Sequence, residues 1–176
     1  MDLTLLSRRR LVGTGVGLVA LPSVLRAQEP RKYKPATIPK GIASFAEKLP
    51  QLDPDLVKAF VIAAHGNFEA TKEMLEHEPG LLNAGWDWGD GDFERAIEGA
   101  GHMGNREIAL YLLGKGARMN LFCAAMLGHL DVVQATLSHH PGLKDSKGPH
   151  GLGLLHHAKA GGKEAEAVLA YLESLA

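Results

Sequence analysis

Apolar and polar positions along this chain recur with a helical period, and from about residue 42 the recurrence is regular enough to predict elements. Ile42, Phe45, Ala46 and Leu49 fall at i, i+3, i+4 and i+7, one face of a short helix within residues 41–52. Asp53-Pro54 then opens a new helix, because Asp is a good N-cap and Pro is tolerated at the first helical position. Beyond it, one pattern returns four times when Gly66, Gly104, Gly128 and Gly162 are placed in a single column. Small or apolar residues precede each glycine, as in Ala59 to His65 and Leu121 to Leu127. Asn67, Asn105, His129 and Lys163 follow it. An acid comes next at Glu69, Glu107 and Asp131, and apolar pairs close the units at Leu75, Leu113 and Leu137. The fourth copy fits with one inserted residue, through Glu166, Val168 and Tyr171-Leu172.

Small residues let the first helix of a unit lie against its neighbours, a left-handed glycine ends it, and the acid favours the first turn of the second helix. Leu130, Val133 and Leu137 then form a buried stripe. The glycines are 38, 24 and 34 residues apart, and their mean lies near a period of about 33. In these columns, most closely in Leu155-His156 with Ala158 and in Leu121 through Asp131-Val132-Val133, the chain resembles the ankyrin-repeat family. The resemblance covers residues 53–176. It implies an all-α solenoid of about four helix-turn-helix repeats, with residues 41–52 as an N-terminal capping helix. It also implies that His156 hydrogen-bonds the turns.

The irregular spacings predict the site. In the short interval, Gly114 to Asn120 lead almost directly into the next helix, so the finger that normally protrudes between repeats is missing there. The flanking intervals carry Trp86-Asp87-Trp88-Gly89-Asp90-Gly91-Asp92 and Lys147 to Gly151. Two loaded fingers beside an absent one predict a notch in the concave surface. Trp86 and Trp88 border it on one side and His150 on the other, with first-helix side chains beneath. Its candidate contact residues are Trp86, Asp87, Trp88, Asp90, Asp92, His102, Phe122, Met126 and His150. The tryptophans serve either as partner anchors or as a lid folded back on the first helix pair, with strand alternation sending neighbouring finger residues to opposite sides.

The N-terminus reads as an address. Arg8, Arg9 and Arg10 precede an apolar stretch from Leu11 to Leu21, loosened by three glycines, and then Arg26-Ala27. This order predicts a signal peptide over residues 1–27, with Ser7-Arg8-Arg9-Arg10-Leu11-Val12 resembling the twin-arginine signal for export in the folded state. An ordinary secretory signal is the alternative. Residues 28–40, with Pro30, Pro35 and Pro39 among basic residues, read as an extended tether.

Composition narrows the function classes. With 45% hydrophobic and 22% charged residues, a formal net charge of -1 and no basic run past residue 10, the chain favours neither DNA nor RNA. Cys123, the only cysteine, cannot form an internal disulfide and occupies a column that packs inside, so it reads as an inert thiol. Asp87, Asp90, Asp92 and Glu94 crowd eight residues without EF-hand spacing, which predicts a solvated turn where Asp92 or Glu94 caps the next helix. His150, His156 and His157 lie close together, yet no His-Glu-x-x-His or paired-cysteine motif is present, and the serines lack a nucleophile elbow.

These observations favour a periplasmic or secreted interaction module with no cofactor and no chemistry of its own, binding a partner protein through its concave face and fingers. The resemblance implies a periplasmic enzyme as one kind of partner, catalases among them. The alternative is a small hydrolase-like enzyme or a ligand- or metal-binding protein using the Trp86–Asp92 and His150 notch, with those acids and histidines as acid-base or metal groups.

Overall fold

The computed structural model describes residues 51–175; the signal peptide, the tether and most of the capping helix expected over residues 1–52 lie outside them. Helix α1 (Pro54–Ala63) starts where Asp53 caps it, the Asp53 carboxylate accepting from the N–H groups of Asp55 and Leu56 at 2.8 and 3.4 Å. Its buried residues Val57, Phe60 and Val61 follow the helical period. Seven further helices alternate behind it: α2 (Phe68–His77), α3 (Ala96–His102), α4 (Arg106–Gly114), α5 (Leu121–Met126), α6 (Leu130–His139), α7 (Leu154–Ala160) and α8 (Glu166–Glu173). Among the described residues the fold is mostly helical, and no helix is long and apolar enough to cross a membrane.

The helices pack as four pairs, α1 with α2, α3 with α4, α5 with α6 and α7 with α8, and the first helix of each pair packs on that of the next. The pairs are capped as their residue types require. Asn67 and Asn105 accept through their side chains from the N–H groups of Ala70 and Ile108, and Glu69, Glu107 and Asp131 sit in the first turns of the second helices. One apolar cluster joins α1 to α4 and takes in Cys123, Met126 and Leu127. The other joins α5 to α8 around Val133, Leu154 and Val168.

Three of the four column glycines end their helices in the left-handed region, with φ of +71° at Gly104, +77° at Gly128 and +63° at Gly162. Gly66 is not among them: His65 and Gly66 both lie between C-cap Ala64 and N-cap Asn67, where Gly104 alone and Gly128 alone separate the corresponding caps. There the Asn67 N–H bonds the Ala63 carbonyl four residues back, whereas Asn105 and His129 reach back five, to Ala100 and Ala124. His65 is the added residue.

One feature accords with the strand alternation expected of the first finger, and another departs from the expected stack. The first finger is a β-hairpin, β1 (Gly85–Asp87) against β2 (Phe93–Arg95), with Trp86 opposite Glu94. Secondly, α3 touches α7 as well as α5, whereas in a linear stack each unit contacts only its neighbours. The tight link from Gly114 to Leu121 and the brevity of α5 let the α7 end of the chain fold onto α3. His156 seals this contact, its Nε2 lying 2.9 Å from the His102 carbonyl oxygen.

His157 is buried with its Nδ1 donating to the Gly153 carbonyl at 2.9 Å and its ring 5.1 Å from that of Phe122. Burial holds its pKa below the ordinary histidine value, with nearby His156 and His102 acting in the same direction. The unfolded chain therefore takes up a proton near pH ~6.5 that the fold resists. Stability should fall as pH drops below that value, by at most about 1.4 kcal/mol per pH unit from this group. Denaturant titrations at about pH 7.5 and 5.5 should show a smaller acid loss for His157→Leu than for the unaltered chain.

Candidate functional site

The structure brings four side chains from distant parts of the chain to one point: His65 from the turn after α1, Glu94 from β2, His102 from the end of α3 and His150 from the second finger. One ligating atom from each lies within 4.8 Å of all the others. Glu94 has no exposed surface at its side chain, and His102 has 9%, whereas His65 and His150 keep 25% and 35%. The centre is thus buried at its base and open at the two outer imidazoles.

Each side chain is aimed by a local cause. In the hairpin, Trp86 and Glu94 share the inward face while Asp87 and Phe93 face out, and Trp88, just past β1, stays partly exposed with its Nε1 turned toward Glu94. Trp88 Nε1 donates to Glu94 Oε2 at 2.8 Å, so this tryptophan covers the carboxylate. His102 Nε2 lies 2.9 Å from Glu94 Oε1 and 3.1 Å from His65 Nε2. His65 turns inward because its Nδ1 donates to the Val61 carbonyl at 2.8 Å and because Gly99 leaves it room. A Cβ at Gly99 would stand 2.8 Å from the His65 ring.

His150 adopts a left-handed backbone, φ 58° and ψ 18°, a conformation disfavoured for a residue with a side chain. Asp92 holds it there, accepting from the His150 backbone N–H at 3.0 Å and from Nδ1 at 3.0 Å. The His150 Nε2 is left 3.4 Å from Glu94 Oε2. Burial is the largest influence on Glu94 and opposes its ionisation. The hydrogen bonds from His102 and Trp88, with the electrostatic pull of the His65 and His102 imidazoles, outweigh it and hold the carboxyl below its ordinary pKa.

The residues expected to border the notch divide into two groups. Trp88, Asp92, His102 and His150 meet at the centre, and the two fingers touch across the missing one, with the Trp88 and His150 rings 5.9 Å apart. The notch is therefore bridged rather than open. Trp86 instead packs beside the first apolar cluster, with Lys58 Nζ 5.3 Å from its ring. Asp87 accepts from the Gly89 N–H at 2.9 Å to shape the hairpin tip, where Asp90 is left-handed. Met126 is wholly buried, and Phe122 packs on His157 and fills the space beside Gly148, so neither faces the centre.

Neither Asp92 nor Glu94 caps α3. Its first turn is closed by Glu98, which accepts from the Arg95 N–H at 2.7 Å. Cys123 is buried, and burial, with Glu98 adding to it, pushes its thiol up to about 12, as suits an inert side chain.

His65 and Glu94 are members of the centre that the repeat pattern does not mark. The strongest signal available was Glu94 itself, set opposite Trp86 in a strand-compatible stretch whose alternation points it inward. A separate cavity of about 260 Å³ lies on the second-helix side, lined by Leu75, Glu76, Pro79, Leu82, Tyr111 and Lys115, and includes none of the four. Among known proteins, no family model, no curated protein and no solved structure matches the chain.

Proposed function

We propose that this chain is an exported ankyrin-type repeat module that binds a protein partner through the side carrying its fingers and first helices. The four helix pairs, the left-handed turn glycines and the hairpin finger support the ankyrin-type reading, and the signal-like residues 1–27 support export. One observation carries the partner site. Large apolar side chains stand exposed on the segments that carry the polar centre: Ile62 at 51%, Trp88 at 37%, Phe93 at 63% and Met103 at 58%. Each lies within six residues of His65, Glu94 or His102 along the chain, and the sequence spends these exposed apolar groups where a soluble surface has no use for them. Exposed apolar groups on the same segments as desolvated polar ones are the composition of a binding hot spot.

A photo-crosslinking residue placed at Phe93 or Met103, in cells making the chain at its natural level, should give one and the same adduct. The same residue at exposed Leu110 on α4 should not. Met103→Asp should abolish the adduct formed from position 93. Equal labelling from position 110, or no adduct at 93 and 103, would remove the reading.

A further inference from the structure

We propose that His65, Glu94, His102 and His150 form a site for a single divalent transition-metal ion of the zinc type. The inference is independent of partner binding, and it begins with the proton positions that the surroundings impose. A carbonyl oxygen can only accept, so His65 Nδ1, 2.8 Å from the Val61 carbonyl, carries the hydrogen. A carboxylate likewise accepts, so His150 Nδ1, 3.0 Å from Asp92 Oδ2, carries it too. In the neutral rings, Nε2 of both histidines then presents a lone pair inward. Those lone pairs face Glu94 Oε2 at 3.5 and 3.4 Å. Oε2 already accepts from Trp88, and without an ion the proton on His102 Nε2 serves Oε1. That one proton is thus shared between Glu94 Oε1 and the His65 lone pair 3.1 Å away, while the His150 lone pair faces the carboxylate with no donor between them. A cation at their common focus resolves this shortage of positive charge. The ion displaces the His102 proton, the neutral ring then carrying its hydrogen on Nδ1 and giving the Nε2 lone pair to the metal.

The spacing fits that cation. Zinc bonds of about 2.0–2.1 Å to nitrogen and oxygen in a tetrahedron place the ligand atoms about 3.3 Å apart. Four of the contacts among these side chains are 2.9 Å to Glu94 Oε1, 3.1 Å between His102 and His65, and 3.4 and 3.5 Å to Glu94 Oε2. The widest separation among the ligating atoms is within 4.8 Å, so the outer imidazoles draw inward when the ion binds. Three imidazoles and one carboxylate suit zinc and its first-row neighbours, whereas calcium and magnesium take oxygen ligands. The outer hydrogen bonds match as well. A ligating histidine gives its other N–H to a carbonyl or a carboxylate, as His65 does to Val61 and His150 to Asp92. The strained backbone at His150 and the space left by Gly99 for the His65 ring serve the same convergence.

Such an ion would tie residue 65 to residue 150 and clasp the two fingers across the missing one. Because the ligands meet only in the folded chain, ion binding would add directly to folding stability.

The test is a zinc titration of the untagged chain, freed of metal by a chelator and followed by calorimetry, with cobalt as a spectroscopic substitute. One equivalent of zinc should bind, the melting temperature should rise with free zinc, and cobalt should give the intense visible bands of a four-coordinate site. His150→Gln, on a partly exposed loop, should weaken binding at least 100-fold, and Asp92→Asn about 10- to 100-fold through ring orientation. Gly99→Ala should also weaken it by displacing His65, although alanine favours the helix it enters and no ligand is removed. His139→Gln with His140→Gln, a surface pair, should change nothing. Zinc binding that survives His150→Gln and Gly99→Ala, or that disappears with the surface pair, would overturn the site, as would the absence of any binding to the folded chain.

Discussion

Gly128→Ala is expected to lower the stability of the fold by about 2–5 kcal/mol, while Gly66→Ala, in the same column of the repeat, should change it by less than about 0.5 kcal/mol. At Gly128 the backbone is left-handed, φ +77°, and an added Cβ would run into the Glu164 carbonyl, a backbone group held by the turn that leads into α8. The left-handed conformation costs roughly 1–2 kcal/mol for a residue with a side chain, and relieving the overlap by backbone shifts adds about 1–3 kcal/mol. Gly66 has an ordinary φ and nothing within 4 Å of its Cβ position. Equilibrium denaturation of the two variants checks this. Equal losses would mean that both glycines play one role and that the extra turn residue at His65 is wrongly placed.

Glu94→Ala should destabilise the metal-free protein by about 3–5 kcal/mol, because its removal strands buried groups that were paired with a charge. Trp88 Nε1 and His102 Nε2 would each lose an acceptor, at 2.8 and 2.9 Å, in a place where water has no access to the carboxylate they face. Glu94→Gln should cost less, since the amide oxygen still accepts from Trp88. Asp92→Ala, removing a carboxylate that is 32% exposed, should cost no more than about 1 kcal/mol. Urea denaturation in a chelating buffer gives this ranking, and a Glu94→Ala variant as stable as the parent would show that the carboxylate is not the keystone of the centre.

These expectations follow a fold that the sequence disclosed unevenly. Helix starts were legible because they rest on local chemistry: Asp53-Pro54, Asn67 and Asn105 cap their helices through bonds within three residues. The short interval from Gly114 to Asn120 was legible as a missing finger for the same reason. Less visible was its three-dimensional outcome. With α5 only six residues long, α7 reaches α3, and the second finger swings onto the first instead of leaving an open notch.

The centre was half legible. His102, His150, Asp92 and Trp88 could be grouped from the irregular spacing, but their partners could not. His65 is brought in by one extra residue in a turn, a shift that a column alignment hides. Glu94 sits in a run of acids that reads as a solvated turn, and only the hairpin register, Trp86 opposite Glu94, turns it inward. Metal motifs with short fixed spacing signal themselves in a sequence. This set spans residues 65 to 150 and exists only through tertiary contacts.

The most direct measurement is an anomalous difference map from crystals of the untagged chain grown with zinc, collected on both sides of the zinc absorption edge. One peak is predicted, about 2.0–2.1 Å from the Nε2 atoms of His65, His102 and His150 and from a Glu94 carboxylate oxygen. A map with no peak among these side chains, or with zinc only at the surface pair His139 and His140 while His102 still bonds Glu94 directly, would contradict it.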